Sequence, residues 1–307
     1  MKELVKFSEH IYCLQLSTNI GILVSKNKNG EDELHLIDSG NSEDDAKKIL
    51  SVLKEHFPSG KLKTIINTHS HADHCGGNFF LKKMTGCEIM ASQGEAPLME
   101  CPDLEIGLIC GSAPVSQLKT PYFIAPVCPA DKTFSNSQTI YLEKLKIEAI
   151  SLKGHYIDQT GFLVTDTDGK RVFFAGDALS GRNVISRYWI QYLFDEEQTK
   201  KSLEKILTIK AEHYVPGHGL PVESVEGLVE LNLLALLETE NLIIEETKVP
   251  KTQEELLKAL ADRNDISLKL SQYMLIGCTL RSYLYSLSNQ GKITFEIKDN
   301  IMKWKAK

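Results

Sequence analysis

Thr68-His69-Ser70-His71-Ala72-Asp73-His74-Cys75-Gly76-Gly77 concentrates four metal-competent side chains, His69, His71, Asp73 and His74, within six residues. The apolar run Thr64–Asn67 leads into it and a glycine pair ends it, so it reads as a tight loop leaving a buried strand. Neutral imidazole and carboxylate suit zinc, and also iron or manganese. The bland alternative is a polar loop whose histidines satisfy one another, but such loops rarely gather imidazoles this densely. Three further segments repeat one design: a strand, a glycine, then a ligand-type residue. Gly154-His155 follows Lys146–Lys153, Gly176-Asp177 follows Arg171–Ala175, and Pro216-Gly217-His218-Gly219 follows a short strand ending at Val215. Loops at one sheet edge are where a site converges. Five of the nine histidines occupy these settings; His10, His35, His56 and His213 do not, and read as structural.

Working outward, His10–Leu16, Ile20–Ser25 and Leu34–Asp38 form a β-meander with a turn at Lys28-Asn29-Gly30. Ser42 opens a helix carrying Ala46, Ile49, Leu50 and Leu53 at helical spacing. Gly161–Thr165 is another strand, and Lys200–Leu207 is helical. Interleaved strands and helices indicate a layered α/β protein. Between Gly94 and Asn136 lie six of the ten prolines and three cysteines, with weak periodicity, which predicts a long lid or binding loop. Past Pro221 the pattern is helical over Val222–Thr247. A capping box at Thr252 and Glu255 opens a second helix, and Ser267–Ser288 forms a third. A hairpin over Lys292–Lys305 turns at Asp299-Asn300. That outline predicts a catalytic domain over residues 1–220 and a winged-helix-like domain over 221–307.

The ordered set His-x-His-x-Asp-His, Gly-His, Gly-Asp, Gly-His resembles the metallo-β-lactamase superfamily, and Leu36-Ile37-Asp38-Ser39-Gly40 looks like that family's early strand end. The resemblance covers about residues 10 to 220 and implies an αββα sandwich with a two-metal edge. On that analogy His69, His71 and His155 hold one metal, Asp73, His74 and His218 the other, and Asp177 bridges them. True β-lactamases of the superfamily use a Cys near the place of the bridging Asp, so antibiotic hydrolysis is not expected. Flavodiiron proteins carry a Glu at the place of His71, and persulfide dioxygenases bind one iron with part of the set. The family's Gly-His-Thr-x-Gly turn is here Gly154-His155-Tyr156-Ile157-Asp158; Asp158 is expected to take the glycine's left-handed backbone, and Tyr156 to reshape a pocket wall. Two divalent metals against Asp73, Asp177 and a hydroxide leave the site about one charge positive, which favours an anionic small molecule. A metal-bound hydroxide forms near neutral pH, and Asp73 is the expected catalytic residue that orients it. The ligands do not choose among ester, thioester, lactone and phosphoester substrates.

The 307 residues carry a net charge of −6 and 42% hydrophobic residues, which excludes a disordered chain. Neither a signal-peptide apolar core nor a membrane span is visible; Leu228–Ile244 is interrupted by Glu230, Asn232, Glu238 and Glu240, so a cytoplasmic protein is expected. Seven scattered cysteines read as free thiols, with Cys101, Cys110 and Cys128 a weaker candidate for a further metal site. From Lys248 onward 11 Lys and Arg face 6 Asp and Glu, net +5, whereas the remainder is net −11. That asymmetry keeps an RNA partner, and an endoribonuclease, as one alternative. An iron-dependent redox or sulfur-metabolism protein is the other. For a glutathione-type carboxylate the candidate clamps are Lys119, Lys132, Lys153, Arg182 and Arg187. Oligomeric state is open, with the long helix Val222–Thr247 a candidate interface.

Overall fold

The computed structural model describes residues 3–307. Its first sheet has the strand order β1 (Glu3–Lys6), β2 (Ile11–Gln15), β3 (Asn19–Lys26), β4 (Asp32–Ile37), β5 (Lys61–Ile66), β6 (Glu88–Ser92) and β7 (Lys132–Phe134). The first four strands pair antiparallel and the last three join parallel. Helix α1 (Glu43–His56) starts where Ser42 caps it: the Ser42 side chain accepts from the Asp45 backbone N–H, and three acidic residues occupy the first turn. Two short helices, α2 (Ala72–Cys75) and α3 (Asn78–Thr85), follow β5.

The second sheet runs β12-β11-β10-β9-β8, with β8 (Thr139–Leu142), β9 (Leu145–Ser151), β10 (Thr160–Thr165), β11 (Arg171–Ser180) and β12 (His213–His218). Along β9, Leu145, Ile147 and Ala149 alternate inward. They meet Ile11, Leu23, Ile37 and Ile66 of the first sheet, and Phe134 and Phe162 cross the gap edge-on with centroids 5.7 Å apart. The outer face of the first sheet packs on α1 and α3 through Leu36, Ile49, Leu53 and Leu81. Opposite, α7 (Glu196–Ile206) covers the second sheet, after α4 (Ala96–Glu100), α5 (Asp103–Cys110) and α6 (Arg182–Arg187) have passed earlier in the chain. Two sheets between helical layers make the αββα sandwich.

After residue 225 come α8 (Glu226–Glu246), α9 (Gln253–Arg263), α10 (Leu270–Asn289) and the hairpin β13 (Ile293–Lys298) with β14 (Ile301–Ala306). The capping box of Thr252 and Glu255 is formed in both directions, and Asp299 and Asn300 both take positive φ (51° and 62°), as the two-residue hairpin turn requires. One buried apolar cluster runs from Leu163 and Phe173 of the second sheet through Leu236, Leu260 and Tyr283 to Trp304, so these helices close the sandwich's outer face. Among the described residues no helix is long and apolar enough to cross a membrane.

The structure corrects three local readings. The proline-rich stretch 94–136 is not a structureless loop: it holds α4, α5, a 3-10 turn at Ser116–Leu118 and β7, and buries Leu98, Ile106, Ile109, Leu118 and Phe123. Pro97 sits in the first turn of α4 and Pro102 caps α5, so these prolines start helices instead of preventing them. Asp158 does not take a left-handed backbone; its carboxylate accepts from Gly94 N at 3.0 Å and from Asn136 Nδ2. Finally, β11 and β12 do not stop before their glycines but continue through Asp177 and His218.

Candidate metal centre

The site forms where β4, β5, β9, β11 and β12 deliver their C-terminal ends to one edge. Asp38, just past β4, adopts φ 64°, an uncommon conformation for a residue with a side chain. Its contacts account for this. Asp38 N donates to Ile66 O at 3.0 Å, while its carboxylate accepts from Thr68 N and Thr68 Oγ1, each at 2.8 Å, and from His74 Nδ1 at 2.8 Å. The turn of β4 thus fixes the start of the histidine loop. Gly76 and Gly77 end that loop because a Cβ there would lie 2.3 Å from Asn41 O and 2.2 Å from Ser39 O.

All seven predicted ligands meet here. His69, His71 and His155 form one group, Asp73, His74 and His218 a second, and Asp177 joins His69 and His74 in a third; within each group the ligand atoms lie within 4.8 Å of one another. His71 Nδ1 is 3.0 Å from both His69 Nε2 and His155 Nε2. Asp177 stands between the two sides: Oδ1 is 3.3 Å from His74 Nε2, and Oδ2 is 3.6 Å from His155 Nε2 and 3.4 Å from His218 Nε2. Asp73 Oδ2 lies 3.2 Å from His218 Nε2, and its side chain is 37% exposed against 14% for Asp177. Gly217 is required by this crowding, since a Cβ on it would come within 1.9 Å of Asp177 Oδ1.

Four of the imidazoles spend their second nitrogen on an acceptor. His69 Nδ1 meets Thr68 Oγ1 at 3.0 Å, His74 Nδ1 meets Asp38, His155 Nδ1 meets Tyr192 O at 3.0 Å, and His218 Nδ1 meets Ser17 O at 2.7 Å. Such partners fix the tautomer and leave Nε2 free for a metal. Sequence reading missed all of these partners; only Asp38 carried a signal, in the Asp-Ser-Gly strand end.

The electrostatics of the two sides differ. Burial, reinforced by neighbouring imidazoles, drives His69 well below its ordinary range and His71 down to about 3; burial also lowers His155. Burial opposes protonation of His74 and His218 too, but Asp177 and its neighbouring carboxylates outweigh it, raising them to about 10 and about 12. Asp177 is itself held well below the carboxylate range, because His218 and His74 outweigh its burial.

The donor set fits divalent metal. His74 Nε2 and Asp177 Oδ1 are buried with no hydrogen-bond partner, yet face each other across 3.3 Å. Buried polar atoms are rarely left so. A cation lying between imidazole nitrogens and carboxylate oxygens satisfies both. Among the described residues no cysteine joins a metal-competent group, so the Cys101, Cys110 and Cys128 reading finds no site. The candidate clamps are mostly committed elsewhere: Lys119 to Asp103 at 3.8 Å, Lys132 to Glu88 at 2.8 Å and Lys153 to Asp158 at 3.3 Å. Arg182 extends toward Gly227 of α8, and Arg187 lies 5.4 Å over the Tyr188 ring.

Comparison with known proteins agrees with this architecture. The sequence profile of the metallo-beta-lactamase superfamily matches residues 15–218. The chain belongs to that superfamily, whose members are generally hydrolases. Among curated proteins it is 24% identical over 198 residues to a beta-lactamase-like protein 2 homolog of Drosophila melanogaster, covering 64% of this chain and only 58% of that relative's length. It is 20% identical over 284 residues to an atrochrysone carboxyl ACP thioesterase of a Cryptosporiopsis species, covering 88% of this chain and 75% of the relative. A beta-lactamase domain protein from Burkholderia ambifaria superposes with a TM-score of 0.75 at 15% identity, over 99% of this chain and 94% of that one, which shows the shared fold.

Proposed function

We propose that the chain is a dinuclear metal-dependent hydrolase acting on a small anionic ester or thioester, with zinc as its metal and iron or manganese as alternatives. The observation that carries this is Asp177, one carboxylate oxygen facing His74 and the other facing His155 and His218. On this reading His69, His71 and His155 hold one ion, Asp73, His74 and His218 the second, and Asp177 both. When bound, such ions acidify water and polarise the scissile bond, so hydrolysis proceeds at neutral pH.

The chain's own part is positioning and proton handling. Asp73 is the more exposed of the two carboxylates, so its oxygen not turned to His218 is the one placed to orient the attacking water. Tyr188 and Tyr122, both half-exposed or more, border the open side. A cavity of about 30 Å³ beside His155 and Asp177 is lined by Trp189, Ile190, Tyr192, Leu193, Leu203 and Leu236. That volume holds one water, so an acyl group enters it only when the loop carrying Tyr188–Leu193 shifts. The thioesterase relative supports an ester or thioester as the bond cleaved. The test is a hydrolysis screen over thioesters, esters, lactones and phosphodiesters, with elemental analysis of protein purified without added metal. Two zinc ions with ester or thioester turnover are expected. Iron with oxidation of a thiol substrate instead supports the redox reading.

We further read residues 221–307 as a winged-helix-like domain, on its order of three helices and a hairpin. An endoribonuclease would use that module's lysines. Lys305 is spent on Glu296 at 3.0 Å and Lys303 stands opposite Glu296 in the hairpin register, which favours the small-molecule reading. Replacing Lys298, Lys303 and Lys305 together is therefore expected to leave hydrolysis unchanged and RNA binding negligible at physiological salt. A salt slope reduced by up to about three units would reverse that choice.

A further inference from the structure

His71 differs from the other four ligand histidines in which way its ring faces. Its Nδ1, not its Nε2, points toward His69 and His155, each 3.0 Å away. Its Nε2 therefore faces outward, and 3.2 Å from it lies Oε1 of Glu105. Glu105 comes from α5, inside the 94–136 segment, and is 4% exposed. The other Glu105 oxygen, Oε2, lies 3.1 Å from Ser70 Oγ, but that hydroxyl has one proton and a closer acceptor in Glu95 Oε2 at 2.7 Å. No ion pair with Lys or Arg occupies Glu105 among the described residues; its complementary neighbours are the His71 ring edge and the buried Tyr156 hydroxyl. The neighbouring buried positions of α5 are held in turn. Ile106 and Ile109 pack with Leu118 and Phe123 in an apolar cluster that Met274, Leu275 and Cys278 of α10 close from outside.

We propose that Glu105 is a positioning residue for the metal centre: its carboxylate accepts from His71 Nε2–H, so that the ring presents Nδ1 to the metal shared with His69 and His155. Through α5 the 94–136 segment becomes a structural part of the site, and α10 sets how firmly Glu105 is held. A carboxylate behind a ligating imidazole raises its basicity and fixes its orientation, and removal of such a partner costs about 10–100-fold in metal affinity. His71 thereby gains the partner that Thr68, Asp38, Tyr192 and Ser17 provide for the other four rings.

This inference rests on the dinuclear reading, and its test separates the two. Zinc is titrated into the metal-free full-length chain against a chromophoric chelator, with Glu105→Gln, Glu105→Asp and Glu105→Ala compared with the parent, and cobalt substitution reports ligand geometry at each position. Weakening of one of two ions by about tenfold in Glu105→Gln and toward a hundredfold in Glu105→Ala is expected, with partial recovery in Glu105→Asp and a shifted cobalt band. Glu95→Gln is the packing control, because Glu95 accepts from Ser70 N and Asp158 N and touches no ligand ring. Its zinc affinity is expected to match the parent. Unchanged affinity and cobalt spectrum in all three Glu105 variants overturn the inference alone, as does equal weakening in Glu95→Gln. A parent chain that takes up no zinc or cobalt overturns the dinuclear reading, and this inference with it.

Discussion

The two sides of the centre share one carboxylate and are opposite in charge. On one side His69, His71 and His155 are neutral, because burial and mutual repulsion keep protons off them. On the other, His74 and His218 are held protonated by Asp38, Asp73 and Asp177. The first side is a preformed nitrogen cradle, whereas the second is a set of ion pairs that a metal has to break. Imidazole count does not set readiness to bind: the placement of carboxylates around the rings does, since each one favours both a metal and a proton.

The largest expected effect comes from removing what the two sides share. Asp177→Ala should lose more than about 10³-fold in kcat/KM, beyond the usual loss from one transition-state contact, and bring metal content well below that of the parent. Elemental analysis and turnover of the best screened substrate check this. Full occupancy with unchanged turnover would mean that the two sides do not share a bridge. Gly217→Ala should fail in the same direction, since its Cβ would displace Asp177 Oδ1.

These seven residues were legible because the chemistry is compact in sequence: four of them lie in His69–His74, and the other three each follow a glycine. The sandwich was legible too, from the short apolar strands His10–Leu16, Ile20–Ser25 and Leu34–Asp38 and from the Ser42 and Thr252 caps. What escaped reading acts across long chain separations or through backbone atoms. Ser17 O and Tyr192 O have no side-chain signature at all. Glu105 lies in an apolar helix where a lone glutamate reads as an exposed charge, and only tertiary packing turns it inward. The 94–136 stretch was misread because proline was taken as a breaker, whereas Pro97 and Pro102 stand at helix starts, where no N–H is needed. Strand β1 is half polar (Glu3, Lys6) and gave no apolar run to find.

The next effect tests the charge difference directly. Metal filling the second side at pH 7 has to displace protons from His74 and His218, whose affinities for them stand near 10 and 12, whereas the first side is already neutral. Calorimetric titration in buffers of different ionisation enthalpy should show about two protons released for one ion and close to none for the other. The weaker step should tighten by about tenfold per pH unit for each proton displaced. Equal proton release for both ions would break the comparison. Asp38→Asn sharpens it: His74 loses its carboxylate directly, whereas His69 is reached only through Thr68, so a loss of about 10–100-fold should fall mainly on the second ion.

The smallest effect is on the stability of the metal-free chain. On the first side, the folded His71 has a proton affinity near 3 against about 6.5 when unfolded. Between those values the unfolded chain binds more protons, so this group makes stability fall as pH drops below about 6.5. On the second side the sign reverses. His218 binds its proton more tightly when folded, so its contribution is complete below about 6.5 and is lost as pH rises toward 12. The metal-free chain should therefore be most stable near neutrality, with an acid limb from the first side and an alkaline limb from the second. Each limb is worth at most about 1.4 kcal/mol per unit of displacement, before relaxation and water entry reduce it. Urea melts from pH 4 to pH 10 in chelator, on His71→Gln and His218→Gln, separate the limbs: the first variant should flatten only the acid side, the second only the alkaline side. Parallel curves for both variants would show the two groups to be electrostatically alike, contrary to the placement of Asp73 and Asp38 on the second side only.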